Sequence, residues 1–563
     1  MKAILVLISA LFPAVGFAAP IGVSVDVGAS VHPFSPLIFG VAYGNAAGNA
    51  QIGYSVDRWG GNSTSRYNWQ VDVHNTASDY FYENIPDCAA PSCTGTPPVG
   101  NSADQFIAAA LVGGALPLIT IPTIGWTPRS DSPHQHPYFA GFSVAKYGAQ
   151  QAVDPYDTDA GNGYHGNGTT ITGNDASDTS MTATPQFESQ WIAHLQSTFG
   201  TAAAAGVRLY ALDNEVMLWN STQRDVHPLP PTYDEIWNKT VAYASAIKQQ
   251  DANALVTGPV TWGYCDLFTS AKDAAAGNCL EGTDRQNHGG LPFVAWYLQQ
   301  VCSYQQAHGI RLVDYLDLHY YPQGTNVALN DDDSATTAAL RLRSLRELYD
   351  PTWVSESWIG QYLGDNDANH YNKPNLIPRA HAWIDQYCPG TRLAITEYNW
   401  GNDDTTSGAI AQAELLAIFA RNGVDLATRW VAPVHPSKAE RAFSIFLDYD
   451  GAGSRVMGDS VAAVSADLDR IGAYAFHLAG QRTMVLLTNK DTIGHDVVVS
   501  FAHAHSAHWK LYGFSGTAAL AQTASGSLSA TSLTLTNLPG LSASLLVIPD
   551  DDAIFVNGFE STQ

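Results

Sequence analysis

The sequence predicts an α/β protein: a (β/α)₈ barrel of the TIM type carrying an accessory antiparallel β-sandwich. Two observations predict the barrel. Eight short apolar strand candidates alternate with helical patterns over roughly 400 residues, the arithmetic of such a fold. No Gly-rich phosphate turn follows the first strand, which sets aside a doubly wound open sheet. A third observation predicts the sandwich. From about residue 441 the pattern becomes short alternating strands between Gly, Ser, Thr and Asn turns.

In chain order, residues 1–19 read as a secretory signal peptide. Lys2 is followed by an apolar stretch from Ala3 to Val15 and small residues at Gly16 and Ala18, with cleavage expected near Ala18 or Ala19. Residues 20–36 contain IGVSVDVGASVHP, whose alternation predicts a strand joining the sandwich. The barrel is assigned to 37–440. Its strands are LIFGVAY (37–43), SVDRWG (55–60), LPLITIP (116–122), VRLYALD (207–213), ALVTGPV (254–260), YLDLHYY (315–321), RLAITEY (392–398) and TRWVAP (428–433). Between them QFESQWIAHLQSTFG, TYDEIWNKTVAYASAIKQQ and IAQAELLAIFARNG space apolar residues by three and four, as helices do. The sandwich is assigned to 441–549, with strands FSIFLDYD, TMVLLTNK, HDVVVSFAH, HWKLYGF, SLTLTNL and SASLLVIP. Residues 550–563 are expected to be a tail.

Bulk composition narrows the function classes. The chain has 563 residues, 45% hydrophobic, with a formal net charge of −25. That balance argues against nucleic acid or an anionic membrane surface, since both demand basic patches. Beyond the signal no apolar stretch reaches spanning length. Export would place the six cysteines in an oxidising compartment. Cys88–Cys93 and Cys265–Cys279 are near enough in sequence to be short loop staples, leaving Cys302–Cys388, although six cysteines allow fifteen pairings. A soluble monomer is expected.

The chemistry is expected where barrel enzymes keep it, at the C-terminal ends of the strands. Those ends carry Arg58 and Trp59, Asp213-Asn214-Glu215, His319, Glu397 and Trp430. Burying carboxylates there is costly unless they are paired or used. Glu215 and Glu397 lie on strands facing across the mouth, and two facing carboxyls are what glycoside hydrolysis needs. One donates a proton to the leaving oxygen and the other stays ionised.

These residues sit in stretches that resemble a known family. RWGGNSTSRYNW (58–69), DAGNGYHGNGTTITGND (159–175), YALDNEVMLW (210–219), TYDEIW (232–237), LVTGPVTWGY (255–264), YLDLHYYP (315–322), DPTWVSESWI (350–359) and ITEYNWG (395–401) are similar to glycoside hydrolase family 44. This is a clan A family of endo-acting β-1,4-glucanases and xyloglucanases. The resemblance runs from about residue 30 to 548. It implies a barrel with a sandwich beside it, a retaining double displacement without a catalytic cofactor, and a β-1,4-glucan as substrate. It also implies that Glu215 is the general acid/base and Glu397 the nucleophile. Asn214 would then meet the sugar 2-hydroxyl, and Arg58 would hold Glu397 ionised. Where the family has Pro after the acid, this chain has Val216.

Aromatic rings at or after strand ends are candidate sugar platforms. Trp59, Trp69, Trp126, Trp219, Trp262, Trp400 and Trp430 qualify, with Trp430 the preferred one beside the cleavage point. Asn68, His319, Tyr321 and Tyr398 are further candidate substrate contacts. The loop DPYDTDAGNGYHGNG gathers Asp154, Asp157, Asp159 and Asn162, oxygen ligands suited to a structural calcium, and the resembling family carries an ion in that region. Asp/Asn/Gly runs are also ordinary turns. AHAHSAHW (502–509) reads as a surface strand and the acidic run at 331–333 as a solvated loop. Two other functions stay open: a xylanase or mannanase on the same scaffold, and a carbohydrate-binding barrel without catalysis.

Overall fold

The computed structural model describes residues 19–87, 97–277, 279–361 and 370–550. The predicted signal peptide, the Cys88–Cys93 pair and the tail beyond Asp550 lie outside the described residues, apart from Ala19.

Strand β1 (Ile21–Asp26) belongs to the second domain, and the barrel begins after it. Eight parallel strands close on themselves: β2 (Gly40–Ala42), β3 (Val56–Trp59), β4 (Leu116–Ile121), β5 (Leu209–Leu212), β6 (Leu255–Thr261), β7 (Tyr315–His319), β8 (Arg392–Tyr398) and β9 (Leu426–Arg429). All eight predicted strands are present, because each is an apolar run too short for a helix and bounded by polar turns. The interior is filled by Val56, Leu118, Leu209, Ala211, Val260, Ala394 and Leu426. The outer ring includes α1 (Ser102–Val112), α2 (Pro185–Phe199), α3 (Tyr233–Gln250), α4 (Phe293–His308), α5 (Ala335–Ser344), α6 (Leu376–Tyr387) and α7 (Thr406–Arg421). Helix α3 shows the local logic. The Thr232 hydroxyl caps it, Asp234 and Glu235 occupy its first turn, and Lys248 its last, all favourable to the helix dipole.

One predicted strand is corrected. FSIFLDYD is not the first strand of the sandwich but the second half of a barrel helix, α8 (Lys438–Leu447). Ser437 and Glu440 form a reciprocal capping box at its start, and Phe443, Phe446 and Leu447 fall on a buried face. The short apolar run could not be told from a strand by periodicity alone, whereas the cap decides it.

The second domain comprises β1 with β10 (Asp459–Ser465), β11 (Ile471–Leu478), β12 (Arg482–Asn489), β13 (His495–Ser515), β14 (Ala521–Leu538) and β15 (Ser542–Pro549). HDVVVSFAH and HWKLYGF are one continuous strand, and β10 and β11 were not foreseen. The sheet runs β1-β10-β11-β12-β15-β13-β14 and folds over, since β1 also pairs β13 in parallel. The inner face makes its own core from Val23, Ile471, Val485, Val499 and Leu546. The outer face, with Tyr474, Phe476 and Leu486, joins the barrel core against α7. That helix is buried from Ser407 to Ala420, apolar nearly all round as a helix between two layers must be. The one charge in that buried stretch, Glu414, accepts from Tyr474, Thr488 and Lys490 and so is paired.

Cys265–Cys279 and Cys302–Cys388 are bonded as expected. The second ties α4 to the end of α6 across 86 residues. Among the described residues no helix is long and apolar enough to cross a membrane.

Candidate active site

The end of β5 explains why Asp213-Asn214-Glu215 sits there. Asp213 is buried, but its carboxylate accepts from Thr123 and Ile124 after β4, from the Asn214 amide and from the Trp219 indole. It fastens the turn to the neighbouring strand. Asp213 and Glu215 both hold left-handed backbone, at φ 67° and 47°, which costs on the order of 1 kcal/mol or more each and persists only where the surroundings insist. The result aims the Glu215 side chain into the barrel mouth. Val216, in place of the family's proline, is buried at the start of the following turn.

Across the mouth, Glu397 on β8 is gripped from two sides. Arg58 Nη1 donates to its Oε1 at 2.7 Å, and the Tyr321 hydroxyl donates to its Oε2 at 2.8 Å. Arg58 Nη2 donates at 2.7 Å to Asn214 Oδ1, which also accepts from the Gly61 amide. With that oxygen saturated, the Asn214 side-chain amide donates one N–H to Asn62, and the other has no partner among the described residues. His319 Nδ1 lies 3.1 Å from Glu215 Oε1 and 3.6 Å from Glu397 Oε2. One carboxylate oxygen from each glutamate and a ring nitrogen of His319 lie within 4.8 Å of one another.

The two carboxyls are pushed apart electrostatically. Burial raises Glu215 above the usual range, and the charge of Glu397 adds to this while the His319 hydrogen bond opposes it. Burial raises Glu397 as well, but His319, the Arg58 charge and the Arg58 and Tyr321 hydrogen bonds outweigh it and hold Glu397 low. A proton therefore resides preferentially at Glu215 while Glu397 stays ionised. The same trio is compact enough to hold an ion, but a guanidinium already occupying Glu397 disfavours a divalent cation there.

Two cavities lie among the loops that carry neighbouring residues, and neither is lined by the glutamates themselves. One of about 450 Å³ is lined by Asp79, Tyr80, Phe81, Tyr164 and Thr222, and connects to Asn214 through Asn62, whose amide donates to Asp79. The other, about 370 Å³, is lined by Asn399, Asp403, Arg429, Trp430 and Val431.

Of the predicted substrate contacts, the structure gathers Arg58, Asn214, His319, Tyr321 and Trp430. The Trp430 ring is half-buried, edge-on to Tyr43 and 5.9 Å from the Arg58 guanidinium, and Asn399 holds its backbone carbonyl. Trp262, just beyond β6, is 38% exposed. Others are corrected. Trp59 packs among Tyr43, Tyr67 and Phe106, and Trp69 stacks on His194. Trp219 and Trp400 are buried, their indole N–H groups on Asp213 and Ser344. Tyr398 is buried with its hydroxyl accepting from Gln412, and Asn68 is a buried tie between Pro128 and Gln70. Trp126 is half-buried against the core. Trp59 and Tyr398 lie on barrel strands, whereas Trp69, Trp219 and Trp400 lie past the strand ends and are buried there by the packing of the following segments.

The ion expectation is also revised. Asp159 is spent on Ser143 and the Ala145 amide, Asp157 on the Asp159 amide, and Asn162 on Ala152 and Tyr164. Asp154 alone of the four offers a buried unpartnered oxygen, Oδ2. It faces Glu83, wholly buried, neither of whose oxygens has a hydrogen-bond partner among the described residues, and His136 completes the cluster. Orphaned buried carboxylates are rare, and this pair fits a cation. Glu83 and His136 were missed because they lie 71 and 18 positions from Asp154, with no local spacing to flag them.

A model of glycoside hydrolase family 44 matches residues 73–324. CelM2, described as a bifunctional glucanase-xylanase from a metagenome library, is 37% identical with a TM-score of 0.87, over 94% of this chain and 99% of that one. The chain belongs to glycoside hydrolase family 44. A Paenibacillus polymyxa xyloglucanase of family 44 is 25% identical with a TM-score of 0.76, over 94% and 100% of the two chains. Beta-mannanase/endoglucanase A of Caldicellulosiruptor saccharolyticus is 29% identical over 475 residues, 80% of this chain. The match spans 33% of that relative's own length.

Proposed function

We propose that this family 44 chain hydrolyses internal β-1,4 bonds of glucans with retention of configuration. The observation that carries the reading is the carboxyl pair: oxygens within 4.8 Å, one acid raised and its partner held ionised. Retaining enzymes keep their carboxyls about 5 Å apart, whereas inverting ones leave room for a water at about 6.5 Å or more. Glu397 attacks the anomeric carbon as Glu215 gives its proton to the leaving oxygen. Glu215 then takes a proton from the water that releases the sugar. Asn214 offers its free N–H to the 2-hydroxyl, and Trp430 and Trp262 supply ring faces.

Soluble cellulose chains, xyloglucan and mixed-linkage glucan are the proposed substrates, on the strength of relatives described as glucanase, endoglucanase and xyloglucanase. The same descriptions include xylanase and mannanase activity, which keeps xylan and mannan as the second reading. We further propose export of a monomer after cleavage near Ala18 or Ala19, supported by the composition of the first 19 residues. A structural cation, calcium by its carboxylate ligands, is proposed at Glu83 and Asp154.

Reducing-end release from carboxymethylcellulose, xyloglucan, xylan and mannan tests the activity. Glu215→Gln and Glu397→Gln are each expected to lower turnover by about 10²-fold or more. Retained activity in both variants would refute the assignment, and proton NMR of the first-formed anomer decides retention.

A further inference from the structure

Behind His319 runs a chain of hydrogen bonds that the reaction as described does not use. His319 Nε2 lies 3.1 Å from Thr396 Oγ1, and that hydroxyl donates at 2.7 Å to Asp317 Oδ1. Asp317 Oδ2 accepts from Thr257 at 2.6 Å. Asp317 is fully buried beneath the glutamates' histidine neighbour, two residues before it on β7. Burial pushes its carboxyl up to about 6, against the pull of the Thr257 and Thr396 hydroxyls and the Arg58 charge.

We propose that Thr396 and Asp317 are positioning residues for proton transfer at Glu215, acting by fixing the proton of His319 on Nε2 and turning Nδ1 to the glutamates. The inference rests on the catalytic reading above. An ionised Asp317 can only accept, so Thr396 must spend its single proton on it. The Thr396 oxygen can then only accept from the imidazole, which obliges Nε2 to carry hydrogen. The sole site at which His319 can gain or lose a proton is Nδ1, facing Glu215.

Strand geometry supplies the array. Asp317 and His319 are two apart on β7 and share a face. Thr396 and Glu397 are adjacent on β8 and in a regular strand would point oppositely. The pairing register shifts between Leu318 and His319 where they meet Glu397, an irregularity of the kind that re-aims side chains beside active sites.

The chemistry balances without a co-reactant. One proton moves between Glu215 Oε1 and His319 Nδ1, giving either a carboxylic acid with neutral imidazole or a carboxylate with imidazolium. When the leaving oxygen takes the proton, the pair is left as carboxylate and neutral imidazole, and the incoming water restores it. The groups facing His319 are Glu215 from the loop after β5, Glu397 from β8, Arg58 from β3 by way of Glu397, and Tyr321 and Asp317 from its own segment. The negative charge of Asp317, passed through Thr396, favours retention of the shared proton.

The test is the pH profile of kcat/KM on a soluble β-glucan for wild type, Asp317→Asn, Thr396→Val and Thr396→Ser, with ¹⁵N NMR of the labelled imidazole. Asp317→Asn and Thr396→Val are expected to bring the basic limb down by about one pH unit. Thr396→Ser restores it, and NMR shows Nε2–H in wild type and its loss of definition in Thr396→Val. A limb that stays put in both variants, with unchanged imidazole resonances, overturns the proposal. An Asp317→Asn chain that does not fold leaves Thr396→Val against Thr396→Ser to decide. If Glu215→Gln and Glu397→Gln keep activity, the catalytic reading falls instead, and NMR still reports on the array.

Discussion

Two clusters in this molecule have the same inventory, two carboxylates and one imidazole, and opposite characters. Glu215, Glu397 and His319 form one; Glu83, Asp154 and His136 form the other. The first contains a resident cation, Arg58, and most of its oxygens have donors. The second leaves three carboxylate oxygens without a partner among the described residues, and burial with the charges of Asp154 and Asp157 drives Glu83 from 4.5 to about 8. What a carboxylate pair can do is therefore set by the positive charge beside it. Fixed guanidinium splits the pair into acid and anion, ready for covalent chemistry. With no fixed cation, the pair is stable only protonated or bound to an ion.

The comparison breaks most visibly at Arg58. Arg58→Gln makes the first cluster resemble the second, leaving Glu397 buried without its charge partner. Loss of one partner of a buried pair is expected to cost about 3–5 kcal/mol of stability. Turnover should fall with it, because an un-ionised Glu397 cannot attack. Thermal denaturation and kcat at several pH values check this. A stable variant with wild-type turnover would mean that Tyr321 and His319 suffice.

The second cluster gives a smaller effect with a defined sign. A carboxyl raised in the fold contributes stability that is complete below its unfolded value and is lost as pH rises through its folded one. For Glu83 that window runs from 4.5 to about 8. Chelator-treated protein should lose stability steadily across it. Calcium should restore stability at pH 8, by about 2.7 kcal/mol at a hundredfold excess over Kd. Glu83→Gln should remove both the pH slope and the calcium effect. A slope that survives in Glu83→Gln would place the titrating group elsewhere.

How much of this was legible in sequence differs between the clusters for a physical reason. The barrel strands and the catalytic glutamates were readable because each is a local pattern, an apolar run ending in a carboxylate. Asp213 and Asn214 were readable as neighbours, but not the left-handed backbone that aims Glu215. Glu83 and His136 were not readable, since they meet Asp154 only through loop tertiary structure. The tryptophans mark the same limit. Position at or after a strand end was legible, but whether each ring would be buried there was not. Trp59 and Trp219 went to the core, while Trp262 and Trp430 keep part of their surface exposed. Helix α8 shows the converse, a local signal in Ser437 and Glu440 that outranks an ambiguous apolar run.

The smallest expected effect sharpens the comparison at its third member. His319 is almost fully buried and has both ring nitrogens engaged, so it belongs to the machinery of its cluster. His136 is exposed, its ring 4.1 Å from that of Tyr138. Calcium prefers oxygen, and an imidazole adds little to such a site. If the ion is calcium, His136→Ala should change its affinity by less than about threefold, under 1 kcal/mol. A transition metal would use the imidazole as a principal ligand, and its affinity should drop by about tenfold or more. Titrating wild type and His136→Ala with calcium and with zinc, read by the shift in melting temperature, separates the two. A large loss for calcium would mean that the exposed ring swings in to close the site, and the second cluster would then use its histidine as fully as the first.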